Sequence, residues 1–429
     1  MGVSSRPAPV TAPWVIALAV LSAAPTLKLG DVQSVELLQV LWLCLSMPTF
    51  LHRGLRVPVS GVWRHYGLRY VAFLGVCIAV SLMALRLTFY TPPGVSVLKR
   101  PVILSLARIL ELCLAVYFML ALARSFQIRR SLLRLALGAY TWAGVFSACV
   151  SILGWLLLEI AGISTFPVYG FDARVRGFFN EGGPYGIFLV SVFVVVLLRA
   201  RLFHLPYPFL HKAALCVLAV ALFLTGSKAA ILAGAVLGAI GFLSSRSRVQ
   251  ALAWSGLCAV VLIAALGLLG GRAFGYLYAY TNFEESLAYR PGDPSLIMGR
   301  VAAALIVPRI IEAHPLLGIG VGNYSLMRND PEYLQGMPSV AEWDLPGVGL
   351  FGSAAEFGIP ATLFFVAALL RPLLQARRRR AAAIVAVAAG FQPVAFLLGV
   401  NLNFFYPWLV AAFAIAQEAA PRPEQGLPS

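Results

Sequence analysis

Residues 299–324 carry Arg300, Arg309, Glu312 and His314 ahead of a glycine-rich bend, His-Pro-Leu-Leu-Gly-Ile-Gly-Val-Gly-Asn-Tyr. Cations set beside acids and a histidine suit transfer chemistry with an anionic leaving group. The cations neutralise the departing charge, and a carboxylate or imidazole accepts the proton of the attacking hydroxyl. Arg300 and Arg309 stand nine residues apart, about two and a half helical turns, so they do not share one face. We expect Arg300 to meet ligand; Arg309 is either a second ligand residue or the partner of an acid such as Glu312.

Further cations fall where topology alone does not require them. Lys228 stands in Leu-Thr-Gly-Ser-Lys-Ala-Ala between two apolar stretches. Snorkelling to the interface would account for it, and so would a phosphate or diphosphate group held by Lys228 with the Thr225 and Ser227 hydroxyls. Arg174 and Arg176, beside Gly182-Gly183, either pair with Asp172 or Glu181 or form a second anion clamp. Arg108 and Glu111 are i, i+3 neighbours on one helix and are expected to pair with each other. The candidate bases are Glu181, Glu312, His314, Glu332, Glu342, Asp344 and Glu356. His314 precedes proline at an expected helix end, where a packing role suits it equally.

No HExxH, DxD, GxxxxGK[ST] or CxxC pattern occurs, so neither a metal nor a nucleotide site nor any other cofactor is expected. Cys44, Cys77, Cys113, Cys149, Cys216 and Cys258 lie in apolar stretches without paired spacing, which excludes a disulfide framework.

The elements that must position these residues are transmembrane helices. The 429 residues are 60% hydrophobic and only 12% charged, with a mean hydropathy of +0.86. A soluble domain carries about 25% charged residues. Windows of about 20 apolar residues, each long enough to cross a bilayer, recur throughout. We read an all-α polytopic membrane protein with about 12 spans, near 12–28, 35–51, 70–90, 102–123, 135–161, 184–199, 213–226, 229–245, 251–270, 351–370, 381–399 and 402–418. One transmembrane domain covers 1–429, and its long outer loop is 271–350. Within that loop, residues 296–313 show helical apolar spacing, and Pro308 would kink the helix.

The net charge of +16 would suit nucleic acid, yet its placement fits membrane topology. The basic runs at Arg53–Arg69, Arg124–Arg134, Arg199–Lys212, Arg246–Arg248 and Arg371–Arg380 share one side if both termini are cytoplasmic. The same frame puts 91–101, 163–183, 226–229 and 271–350 outside.

Three stretches in this order resemble the O-antigen polymerase and O-antigen ligase superfamily: Thr225-Gly226-Ser227-Lys228; Arg300 leading a helix into the His314–Tyr324 bend; and Glu356-Phe357-Gly358-Ile359-Pro360. The resemblance implies a fold similar to the membrane-embedded GT-C glycosyltransferases, with a periplasmic active site. Two departures stand out. The family's usual arginine in the short turn is Lys228 here, which keeps the charge and loses the bidentate fork. The histidine that ligases carry before Glu-x-Gly-x-Pro is missing; Glu342–Leu350 has none.

That absence favours a polymerase joining undecaprenyl-diphosphate-linked repeat units in the bacterial inner membrane. Donor and acceptor are then both lipid-linked oligosaccharides, with a chain-length regulator as a further conceivable partner and nucleic acid none. Lys228, Ser227, Arg300, Arg309, Arg174 and Arg176 are the expected diphosphate ligands. Asp344, His314 and Glu181 are the expected bases, Asp344 first. An O-antigen ligase and a lipid-linked oligosaccharide transporter are the alternatives.

Overall fold

The computed structural model describes residues 10–29, 32–53, 62–89, 100–169, 173–203, 208–245, 247–256, 278–279, 281–289, 294–297, 299–340, 349–379 and 381–418. The regular structure of the described residues is helical apart from a short antiparallel pair, Lys28–Leu29 with Val32–Gln33, and an isolated bridge between Val168 and Val175.

In chain order the helices are α1 (Ala12–Leu21), α2 (Ser34–Arg53), α3 (Leu68–Ala84, entered through a π turn at Trp63–Gly67), α4 (Pro101–Ile128) and α5 (Arg130–Ala161). They continue with α6 (Gly182–Leu202), α7 (Pro208–Thr225) and α8 (Lys228–Ser244). The long loop carries α9 (Arg300–Ala313), and after it come α10 (Gly349–Phe357), α11 (Ile359–Arg378), α12 (Ala383–Leu397) and α13 (Phe405–Glu418). Trp63–Ala84, α4, α5, α6 and α11 are long and apolar enough to cross a membrane, and six shorter apolar helices stand beside them. The chain is therefore an all-α polytopic membrane protein. Most of the expected span at 251–270 lies outside the described residues.

Local chemistry sets the helix ends. Pro101 opens α4 in the first turn, where its missing N–H costs nothing. Ser227 caps α8 by accepting the Ala230 amide at 3.2 Å. The expected span at 351–370 is broken at Gly358, whose φ of 76° no helix tolerates. The break makes α10 a separate short helix and moves Glu356 out of the membrane-crossing segment α11.

α13 packs along α4, and α12 lies between α8 and α11, so the last two helices fill the centre of the bundle. Trp408, Tyr406, Phe179 and Phe188 are fully buried there. Their edge-on ring pairs, such as Phe188 with Tyr406 at 5.5 Å, join α6 to α13.

The long loop builds a small core of its own. Ala303, Ile306 and Ile310 on one face of α9 bury against Tyr324, Met327, Tyr333 and Leu334, and Ala355 of α10 closes the cluster. Between α9 and α10 the glycine-rich bend lies along residues 355–359. Ile319 donates its amide to the Ala355 carbonyl at 3.0 Å, Gly320 to Glu356 at 3.0 Å, and Ile359 to Pro315 at 2.8 Å. This close approach requires glycine at two points. Gly318 has φ 62°, and a Cβ there would sit 2.5 Å from the Glu356 carbonyl oxygen. Gly358 has φ 76°, and its Cβ would strike the Leu316 carbonyl.

Replacing Gly318 by alanine should therefore destabilise the folded protein by at least about 1–2 kcal/mol, the cost of a left-handed backbone alone. A lowered melting temperature in detergent is the expected result, and an unchanged one would contradict the clasp.

Candidate functional site

The clasp carries Glu356 into a polar cleft. The turn 319–323 is wedged among three helices. Val321 donates its amide to Ser81 of α3 at 3.1 Å, and Ser105 of α4 donates its hydroxyl to the Val321 carbonyl at 2.7 Å. Asn323 locks the turn from within by donating to the Ile319 carbonyl at 2.8 Å. The amides at the end of the turn then face the Glu356 carboxylate, which accepts from Tyr324 N–H at 3.3 Å.

Burial pushes the Glu356 carboxyl up to about 7. The Gly322 and Tyr324 amides and the Arg108 charge pull the other way, and desolvation wins. A carboxyl so placed exchanges a proton near neutral pH, the property a general base needs.

Beside it Arg108 and Glu111 form a 2.8 Å ion pair about two turns into α4. The cavity they enclose, about 190 Å³, is lined further by Glu36, Asn180, Ser353, Asn401 and Asn403. Glu36 is fixed at the start of α2 by accepting the Gln33 amide at 2.9 Å. Amides, hydroxyls and carboxylates of this kind are the groups that bind sugar hydroxyls. Among the described residues no group of three or more His, Cys, Asp or Glu gathers to hold a metal.

A second cluster forms around the α7–α8 turn. Arg174 donates its Nε to the Thr225 carbonyl at 2.9 Å, and Val175 donates its amide to Leu224 at 3.2 Å. The loop before α6 thus lies on the turn that carries Lys228, and Ser227 reaches the Gly183 carbonyl at 3.3 Å. Lys228 opens α8 with its ammonium shielded from solvent. The Thr225 hydroxyl goes to the Leu222 carbonyl at 2.7 Å, so both hydroxyls build the turn itself.

The structure brings together Lys228, Ser227 and Arg174 and holds Arg176, Arg309 and His314 in other contacts. Arg176 points the opposite way, stacked 4.7 Å from the Phe166 and Tyr169 rings and bonded to the Phe166 carbonyl. Arg309 donates to the Tyr333 and Leu334 carbonyls at 2.7 and 3.3 Å, and His314 meets the Tyr333 hydroxyl at 3.1 Å; both hold the loop core. Glu181 is exposed at the start of α6. The Arg300 side chain and the whole of Asp344 lie outside the described residues.

Glu356 was legible as one candidate base among seven. The role of Arg108 and Glu111 as cleft residues was not, since an i, i+3 pair explains itself. Asn401-Leu402-Asn403, a polar tripeptide between two apolar helices, is the signal that went unread.

An infrared titration tests the state of Glu356. A protonated-carboxyl band should vanish through about pH 7 in the native protein and be missing in Glu356→Gln. A native protein with no carboxyl titrating near neutrality would contradict this environment.

No curated protein matches the chain. A family match runs from α7 to the middle of α11 and so takes in Lys228, the glycine-rich bend and Glu356, while Arg108, Glu36 and Asn401 fall outside it. Residues 213–366 match the family described as O-Antigen ligase, and that match supports the O-antigen ligase and polymerase superfamily for this chain.

Proposed function

We propose that the protein transfers a glycan from a polyprenyl diphosphate to a hydroxyl of a second glycan, as a polysaccharide polymerase. The observation that carries this reading is a carboxyl, Glu356, pushed up to about 7 by burial inside a cleft lined with amides, hydroxyls and acids.

In the proposed reaction the acceptor hydroxyl oxygen attacks the anomeric carbon. The bond from that carbon to the diphosphate oxygen breaks, and the lipid diphosphate leaves with the bonding electron pair. The hydroxyl proton passes to Glu356. Cations lower the barrier by neutralising the charge that develops on the leaving oxygen, which is how a lipid diphosphate can depart.

The charges sort the two ends of the donor. With Glu36, Glu111 and Glu356 against Arg108, the cleft is a poor host for a diphosphate and a good one for sugar hydroxyls. Lys228 on the α7–α8 turn and Arg174 of the 174–183 loop that lies on it are the proposed diphosphate ligands, with Arg300 a third. Asn180 of the same loop lines the cleft, so one short segment would connect the two ends. In the frame set by the basic loops this face is periplasmic, and the membrane is the bacterial inner membrane.

The missing histidine before Glu356 favours a polymerase with two undecaprenyl-diphosphate-linked substrates. The family description favours a ligase, which would deliver the glycan to lipid A core or to protein.

Purified protein given one lipid-linked repeat unit and no second acceptor should yield a ladder spaced by one repeat. Lys228→Ala should abolish the ladder at unchanged protein level. Starting material consumed only when lipid A core or a protein acceptor is added would establish the ligase instead. No consumption in either case would remove both.

A further inference from the structure

The basic residues that set topology do more than mark a face. At the start of α5 and the end of α6 they line a cavity of about 680 Å³ that the glycan chemistry does not use. Arg130, Arg134 and Arg199 line it together with the apolar side chains of Leu135, Trp142 and Phe203. α6 starts at the turn that carries Lys228 and ends at this cavity, and its 21 residues span about 30 Å. The cavity and the cleft therefore belong to opposite ends of the bundle.

Three observations ask for an anion here. Among the described residues no carboxylate pairs with any of the three arginines, the single ion pair being Arg108 with Glu111. The partners they do have carry no negative charge. Arg130 donates to the Gln417 amide oxygen at 2.8 Å, Arg134 lies 4.8 Å over the Phe203 ring, and Arg199 meets His211 Nε2 at 3.3 Å. Arg199 Nε is buried with no hydrogen-bond partner among the described residues.

The N-terminus of α5 adds to the demand. A helix N-terminus carries partial positive charge and favours acids in its first turn. α5 has none there, no side-chain cap, and Arg129, Arg130 and Arg134 in place of them. Ser131 of that turn also lines the cavity. Like charges gathered at the positive end of a dipole repel one another, and a bound anion relieves that repulsion. The Arg199 guanidinium lies over Gly138 of α5, 3.6 Å from where a Cβ would stand, which brings it to the α5 side of the cavity.

We propose that this cavity binds the phosphate of an anionic lipid. The Arg134 and Arg199 guanidiniums grip the phosphate oxygens, Arg130 and the α5 N-terminus add charge, and Leu135, Trp142 and Phe203 meet the first apolar carbons of the tail. Arginine, with its planar fork of donors, suits a tetrahedral phosphate better than lysine does. The apolar wall gives a lipid the advantage over a free ion. In the frame of the basic loops this end faces the cytoplasmic leaflet, where basic pockets between helices bind acidic head groups.

Full-length protein in neutral detergent, titrated separately with dioleoylphosphatidylglycerol, dioleoylphosphatidylcholine and sodium phosphate, tests this through the melting temperature. Phosphatidylglycerol should raise it saturably, and the other two should not at matched concentration. Arg134→Ala and Arg199→Lys should each raise the half-saturating concentration about tenfold or more. Arg201→Ala, exposed at the same end, should leave it unchanged. Arg199→Lys keeps the charge, so it gives a readable result even if Arg134→Ala fails to fold. Equal stabilisation by the two lipids, or wild-type binding by Arg199→Lys, would overturn the site. Full stabilisation by sodium phosphate alone would replace the lipid with a free anion and overturn the lipid assignment.

Discussion

Three backbone hydrogen bonds, Ile319 to Ala355, Gly320 to Glu356 and Ile359 to Pro315, are the constraint on which the site depends. They join the glycine-rich bend to the short helix before α11 with no side chain between them, and only glycine at 318 and 358 allows that approach. Because the two segments touch, the Glu356 carboxyl lies against the end of the bend rather than in solvent. Because it is buried there, its proton affinity is set by desolvation against two amides and Arg108. Two glycine-rich stretches more than thirty residues apart in sequence are therefore one structural unit.

The distribution of charge around that unit follows the chemistry proposed for it. The cleft holds more acids than bases and a row of amides, while Lys228 and Arg174 gather one loop away on the α7–α8 turn. Glycosyl transfer from a lipid diphosphate asks for this division. Sugar hydroxyls need acceptors and donors of modest charge, and the diphosphate needs cations. Ser227 and Thr225, by spending their hydroxyls on the turn, keep Lys228 at the first position of α8. Their contribution is to hold the cation in place.

Much of the fold was legible because hydrophobic length is a strong signal. α4, α5 and α6 come within a few residues of the expected spans, and His314 ends α9 as His-Pro predicts. The break at Gly358 was hidden because 351–370 is apolar on both sides of it, and only the backbone geometry separates α10 from α11. In the site, Lys228 and the glycine-rich bend stood out because a cation between spans and repeated glycines have few structural explanations. Arg309 and His314 have the right chemistry and serve the loop core instead, which spacing alone could not reveal. Arg108 and Glu36 come from two distant helices and Asn401 from the α12–α13 connection, and no linear pattern connects residues that meet only through packing. The arginines of α5 and α6 carry the topology signal, and that explanation concealed their convergence on one cavity.

The most direct test of the account is the pH dependence of glycan transfer by the native protein and by Glu356→Gln. A base works only when ionised, so the native rate should rise with pH and level off above about 7. Glu356→Gln should lose about 10²–10⁴-fold in rate, along with that rise. A variant that keeps the native rate, or the native pH profile at a reduced rate, would contradict Glu356 as the proton acceptor.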